Sequence, residues 1–204
     1  QYIMTKEEEN ILLNQGKMLP VMEHFYTLQG EGAHTGKAAY FIRLGGCDVG
    51  CHWCDVKESW DESLHPKQSI EEIVKNAQAY PGRLAVITGG EPLLHNLNNL
   101  TNALKGAGFE TNIETSGSSE LSGNWDWICL SPKKFKFPLP EVVQAADELK
   151  VVVFNKTDFE WAEKWAAEGQ GLLIMGGGKR MDLTSQGFMY AVNNPEKLKA
   201  ELDG

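Results

Sequence analysis

Three cysteines, Cys47, Cys51 and Cys54, stand at C-x3-C-x2-C spacing within residues 45–60 (GGCDVGCHWCDVKESW). Thiolates this close, on a loop with glycines before and between them, can converge on one face of an iron–sulfur cluster. A cubane cluster has four irons, so three protein ligands leave one iron open to chelate a small molecule and pass it an electron. The four-cysteine pattern of electron-transfer clusters leaves no such position. The spacing therefore points to catalysis. Zinc is the alternative, with His52 completing a Cys3His set. His52 adjoins Cys51, however, and structural zinc sites draw their ligands from two separated knuckles, of which the sequence shows one. The fourth cysteine, Cys129, lies in the apolar run 126–130 (DWICL) and reads as a buried strand residue. Nothing at the N-terminus resembles a signal peptide, which disfavours a disulfide.

Other polar groups fall in short motifs. TGGEP (88–92) follows a buried run, and its glycines let a ligand approach the backbone and leave amide groups to bind it. Glu91 there can accept from an ammonium or a hydroxyl. In isolation such a segment is an ordinary strand-to-helix turn. QGEG (29–32) offers Gln29, a donor and acceptor, beside Glu31, an acceptor only; the pair suits an amide-rich heterocycle, or equally a solvated turn. Arg43 can form a bidentate pair with a carboxylate, or a surface salt bridge. ETSG (114–117) and SPK (131–133) bring hydroxyls, a carboxylate and an ammonium suited to a ribose and an amino-acid moiety. Asp55 adjoins the last cysteine and faces the same cavity or caps a turn. Trp53, held between Cys51 and Cys54, adjoins any cluster ligand.

These residues need a frame to hold them. Residues 1–19 are polar and read as a loosely docked leader with one short helical turn, ahead of a single domain over 20–204. Residues 21–28 (VMEHFYTL) alternate as a strand, and AAYFIRL (38–44) forms a second before the cysteine loop. Ser69, with Glu72 three residues on, opens a helix through about Ala79. LAVIT (84–88) is a buried strand, and 96–105 a helix with Gly106 and Gly108 beyond its end. Strands are expected at 109–115, 127–130 and 149–154, a helix at 158–167 and a short strand at 171–175. Repeated strand–helix units imply parallel strands. The first helix-opening loop lacks G-x-G-x-x-G, which disfavours a Rossmann sheet. Polar motifs instead follow several successive strands at their C-terminal ends, as in an α/β barrel. The expected fold is α/β, a partial parallel β/α barrel.

The 204 residues suffice for one core, and their hydrophobic fraction is 42%. The longest apolar runs are strand-length, so no membrane span is expected. A net charge of −9 argues against a general nucleic-acid binder. A few local cations can still hold a small anion. The expected compartment is the reducing cytoplasm.

Cys47, Cys51 and Cys54 with Trp53, followed by GGEP, resemble the radical S-adenosylmethionine superfamily. There the open iron chelates the amino and carboxylate groups of the cofactor's methionine part. An electron from the reduced [4Fe–4S] cluster then cleaves the cofactor to a 5′-deoxyadenosyl radical. Within the superfamily, the run HFYTLQGEGAHTGKAAYFIRLGGCDVGCHWCD, with TGGEPLL, ETSG and SPK in that order, is similar to the 7-carboxy-7-deazaguanine synthase family of queuosine and deazapurine biosynthesis. The likeness covers about residues 20–154 and implies the partial barrel of the radical enzymes.

It also implies a substrate, 6-carboxy-5,6,7,8-tetrahydropterin. Hydrogen would leave C6, the ring would contract, ammonia would depart and the hydrogen would return, so the cofactor is used catalytically. Leu28, Gln29, Gly30 and Glu31 match the pterin-recognition segment, Arg43 a carboxylate-binding position and Thr88 another substrate contact, with Asp55 beside them. His52, Trp53, Gly90, Ser116 and the turn of Ser131, Pro132 and Lys133 match positions around S-adenosylmethionine, and Glu91 joins them as an acceptor for its ammonium. A flavodoxin or ferredoxin would supply the electron, and a homodimer is compatible with the family.

Two departures matter. Members commonly carry Thr or Ser directly after the Cys-Asp pair, where the hydroxyl helps hold Mg2+ against the substrate carboxylate. Here that position is Val56, so Mg2+ dependence is expected to be weakened or relocated. Residues 169–204 lack the family's Gln-Pro segment and its closing His-containing strand, and carry a triple glycine and a helix-like end instead. Two other readings share the cysteine spacing: a glycyl-radical-enzyme activase, and a non-catalytic zinc or iron–sulfur module.

Overall fold

The computed structural model describes residues 4–51, 54–153, 156–168, 172–177 and 189–191. Its frame is one mixed sheet whose central strands follow each other in chain order. The strands are β1 (Met18–Leu28), β2 (Ala38–Leu44), β3 (Lys67–Ser69), β4 (Leu84–Gly89), β5 (Glu110–Thr115), β6 (Trp127–Leu130), β7 (Glu148–Val153), β8 (Leu172–Gly177) and β9 (Met189–Ala191). They are ordered β3-β1-β2-β4-β5-β6-β7-β8-β9. Strands β2, β4, β5, β6, β7 and β8 run parallel, while β1, β3 and β9 pair antiparallel at the two flanks. Strand order that follows chain order, with β3 and β9 at opposite edges, is the singly wound arrangement of an open β/α barrel rather than a doubly wound sheet. The expected architecture is thus the observed one.

Side-chain alternation gives the sheet two different faces. On one face Tyr40, Ile42, Leu44, Ala85, Ile87 and Ile113 are buried against the helices. The same core takes Ile70, Ile73 and Ala77 of α2 (Ile70–Gln78) and Leu100 and Leu104 of α3 (Asn98–Gly106). On the other face Ala39, Phe41, Leu84 and Val86 form a small apolar floor with Phe25. Past this floor, at the C-terminal ends of the strands, the same face turns polar: Arg43, Thr88, Glu114, Cys129 and Lys150. Because the strands are parallel, one polar side chain from each arrives at the same edge.

Local chemistry explains most element ends. Ser69 caps α2 by accepting from the Glu72 N–H at 3.2 Å. Asn96 Oδ1 takes the Asn98 N–H at 3.1 Å, so α3 starts two residues after the expected position. The leader departs further from expectation. Thr5 and Glu8 form a reciprocal capping box that opens α1 (Lys6–Asn14). Met18, Leu19 and Pro20 pair with Ser69, Gln68 and Lys67, and Leu19 is fully buried. That pairing joins segments some fifty residues apart in sequence, which no local pattern announces. Strand β3, the six-residue α4 (Pro140–Ala145) and β9 are likewise found only in the structure. Helix α5 (Lys156–Glu168) begins two residues before its expected start. The expected helix-like end of the chain lies outside the described residues. Among the described residues no helix is long and apolar enough to cross a membrane.

Candidate active site

After β2 the backbone turns at Gly45 and Gly46, the latter at φ 99°, and enters the cysteine loop. Main-chain hydrogen bonds fix this loop from two sides. Gly46 and Cys47 N–H donate to the Ser59 and Trp60 carbonyls at 2.6 and 3.1 Å, which closes the loop on itself. From β4, Gly90 N–H donates to Leu44 O at 3.0 Å and Glu91 N–H to Gly46 O at 2.8 Å. His95 Nε2 donates to the Gly45 carbonyl at 2.7 Å. The Gly90 and Glu91 amides, expected to be left for a ligand, are therefore spent on holding the cysteine loop. The glycines serve close approach of backbone to backbone. A Cβ on Gly89 would lie 2.2 Å from Leu44 O, and one on Gly90 2.2 Å from Gly46 O and 2.8 Å from Cys47 Cβ.

Glu91 is 1% exposed and faces inward. Its Oε1 accepts from the Leu93 N–H at 3.0 Å and the Thr115 hydroxyl, and its Oε2 from the Ser116 N–H at 2.8 Å and the Ser116 hydroxyl. Four donors fill the acceptor positions of the carboxylate. The expected direct contact of Glu91 with an ammonium is thus corrected: the side chain locks the end of β4 to the end of β5. Ser116 spends its N–H on the same lock.

The strand ends enclose a cavity of about 590 Å³. The loop supplies Cys47, Cys51, Cys54 and Asp55 to its wall, β2 supplies Arg43, and β4 supplies Thr88 and Gly90. Ser116, Ser131 and Lys133 line it from beyond β5 and β6, and Gln29 and Glu31 from beyond β1. Sequence reasoning thus brought thirteen positions, Glu91 included, to one cavity. Three others are not in its wall. Leu28 is 62% exposed, Gly30 is exposed, and Pro132 is buried behind the turn it shapes. His52 and Trp53 lie outside the described residues.

A polar network spans the pterin-side wall. Gln29, 7% exposed, accepts from the Glu31 N–H at 3.0 Å and donates to Glu114 Oε1 at 3.3 Å. Thr88 Oγ1 donates to Glu114 Oε2 at 3.4 Å. Lys150, missing from the sequence-derived set, reaches both Glu31 and Glu114. A lysine inside the apolar run 149–154 was the available signal, since a central strand rarely spends a charge without a partner. Trp60 also lines the cavity, and its buried Nε1 has no protein acceptor among the described residues. Arg43 Nε donates to Glu23 at 2.7 Å, so one edge of the guanidinium is paired on the protein. Its terminal nitrogens have no protein partner among the described residues.

The thiols sit in a cationic corner. Burial pushes the Cys51 thiol up, the Lys133 ammonium acts against this, and Cys47 and Cys54 push it up further. Lys133 donates to the carbonyl and hydroxyl of Ser131, each at 2.7 Å, and burial lowers its pKa. Among the described residues no three His, Cys, Asp or Glu side chains already stand in a metal-holding group. The donor set still suits an iron–sulfur cluster: three soft thiol ligands share one cavity wall, and the Lys133 ammonium opposes the rise at Cys51. Cys129, as expected, is a buried strand residue, and burial raises its thiol well above the ordinary range.

The fold and the thiol-lined cavity define a radical S-adenosylmethionine enzyme, and the profile of the Radical SAM superfamily matches residues 41–154. The likeness is closer to one branch. A 7-carboxy-7-deazaguanine synthase of Flavobacterium psychrophilum is 50% identical over 95% of this chain and 93% of its own length. The synthase of Synechocystis is 50% identical over 71% of this chain and 69% of its own. The crystal structure of QueE from Escherichia coli superposes with a TM-score of 0.74 at 33% identity, over 84% of this chain and 89% of that one. The chain belongs to the 7-carboxy-7-deazaguanine synthase family.

The glycine contact generates a prediction. Gly90→Ala should fold but lose more than about half of the iron and sulfide taken up on anaerobic reconstitution, because a contact with backbone cannot be relieved by a rotamer change. Gly106→Ala, whose Cβ meets nothing within 4 Å, is the control. Equal iron content in Gly90→Ala and the wild type would show that the close approach is dispensable.

Proposed function

We propose that this chain converts 6-carboxy-5,6,7,8-tetrahydropterin to 7-carboxy-7-deazaguanine with loss of ammonia, in the queuosine and deazapurine pathway. One observation carries the reading: a single cavity joins three thiols, an arginine whose terminal nitrogens have no partner among the described residues, and an acceptor wall of Gln29, Glu31 and Glu114. A [4Fe–4S] cluster with S-adenosylmethionine supplies, when bound, the carbon radical that takes hydrogen from the substrate and later returns it. The chain's residues do the rest.

Cys47, Cys51 and Cys54 hold the cluster. Gly90, Ser116, Ser131 and Lys133 form the cofactor side, with Pro132 setting the turn and His52 and Trp53 assigned there by resemblance alone. Gln29 and Glu31 face the donor edge of the pterin, Thr88 contacts it, and Arg43 takes the substrate carboxylate. Leu28 and Gly30 act by shaping the backbone of that segment. The apolar floor of Phe25, Phe41 and Val86 keeps water from the reacting carbon. Asp55 is the loop carboxylate in the cavity wall, and Val56 beside it offers no ligand atom. A Mg2+ here rests on Asp55, substrate and water. A flavodoxin or ferredoxin delivers the electron, the thiol set operates in the reducing cytoplasm, and a homodimer is the assembly the family suggests.

The test is anaerobic reconstitution, addition of S-adenosylmethionine, reductant and the pterin, and mass spectrometry for 7-carboxy-7-deazaguanine. Product is expected, with chelation reducing the rate only partly. Arg43→Ala should raise KM for the pterin about tenfold or more, the loss of a hydrogen bond to a charged group. Cofactor cleavage without product would contradict the reading and favour a protein substrate, and zinc without sulfide would overturn the radical chemistry. Strict Mg2+ dependence would contradict the role given to Val56.

A further inference from the structure

Lys150 stands on β7 between two carboxylates. Its Nζ lies 2.8 Å from Glu31 Oε2 and 3.2 Å from Glu114 Oε2, and its side chain is 16% exposed. Glu114 reaches Gln29 through its other oxygen, and Gln29 takes the Glu31 N–H, so the four residues close a ring along one wall. Both carboxylates also line the cavity. Glu114 is largely buried and Glu31 half-exposed; two carboxylates on one wall repel, and removing the cation between them favours a proton on one of them. A protonated carboxyl donates where the wall must accept.

We infer that Lys150 is a positioning residue that keeps Glu31 and Glu114 paired and ionised, as an acceptor face for the N–H edge of a flat, amide-rich heterocycle. The identity of that heterocycle rests on the proposed function; the ion pairs do not. A role as proton donor to the departing amine fits less well. Burial alone would lower the Lys150 pKa, but the Glu114 and Glu31 carboxylates push it above the ordinary lysine range, so the ammonium keeps its proton.

The neighbouring groups leave this task to Lys150. Beneath the trio, Cys129 on β6 stays a neutral thiol, and burial lowers the pKa of His34 on the Gly32–His34 turn, which disfavours its charged form. Glu148, also on β7, accepts from Trp127 Nε1 at 2.8 Å and Ala33 N–H at 3.3 Å and adds negative charge. Across the cavity stand Lys133, held by Ser131, and Arg43, held by Glu23, with Asp55 and the three cysteines on the loop. Among the described residues, only Lys150 bridges both carboxylates.

The test compares cluster-loaded wild type with Lys150→Met, Lys150→Arg and the double variant Lys150→Met with Glu31→Gln. In Lys150→Met the shared carboxylate pKa rises. KM for 6-carboxytetrahydropterin should then be about tenfold higher near neutral pH and fall as pH rises, while the wild type stays flat. The melting temperature gives a reading without substrate. A raised folded pKa stabilises at low pH and loses that contribution as pH rises. Lys150→Met should therefore fall progressively below the wild type from about pH 5 to about pH 8. Lys150→Arg should restore both profiles, and the double variant should flatten them. Lys150→Gln supplies the same two readings should Lys150→Met not load its cluster. Variant profiles parallel to the wild type in both KM and melting temperature would overturn the inference. A wild type that makes no 7-carboxy-7-deazaguanine, with the melting profiles as expected, would refute the substrate and leave the ion-pair role standing.

Discussion

The site depends on two stretches of backbone lying closer together than side chains would permit. Gly89 and Gly90 pack against Leu44 and Gly46, with carbonyl oxygens where their Cβ atoms would be. This approach lets the Gly90 and Glu91 amides bond to the cysteine loop and place Cys47 against β4. A loop carrying three ligands must pay the entropy of ordering itself, and hydrogen bonds made before any ligand arrives reduce what binding must supply. The buried Glu91 carboxylate extends the lock to β5 through Thr115 and Ser116. Strands β2, β4 and β5 are thereby joined at the one edge where the thiols sit.

The second constraint is electrostatic. Strand alternation gives the helices an apolar face and sends one polar side chain per strand toward the cavity. Charges placed there are costly unless paired. The sheet pairs them across strands: Arg43 with Glu23, and Lys150 with Glu31 and Glu114. The result is a wall with fixed acceptors on one side and a partly committed guanidinium on the other. Such a wall suits a rigid heterocycle bearing a carboxylate.

Much of this was legible in the sequence. Strands β2 and β6 coincide with their expected spans, because apolar alternation bounded by glycine or polar residues is local information. The Ser69 cap was legible for the same reason. The cysteine spacing and the succession of polar motifs after strands pointed to residues that line one cavity, since parallel strands bring their C-terminal ends to one edge. What sequence hid was partnership. It showed Gly90 and Glu91 as polar groups near a ligand, yet could not show that Leu44 takes the Gly90 N–H and that Gly46, Thr115 and Ser116 consume the hydrogen bonds of Glu91. Leu28 adjoins Gln29 in the chain but is largely exposed, where Gln29 is buried. Lys150 and the pairing of Leu19 with Gln68 depend on contacts remote in sequence.

Hydrogen exchange on the cluster-free protein, read by mass spectrometry at residues 44–47 and 89–91, tests most directly whether the protein builds this platform before the cluster arrives. The Gly46, Cys47, Gly90 and Glu91 amides should be protected nearly as well as the core strands β2 and β4. Exchange at the rate of an open loop, with protection appearing only after iron and sulfide are added, would show that the cluster organises the loop and would contradict the account.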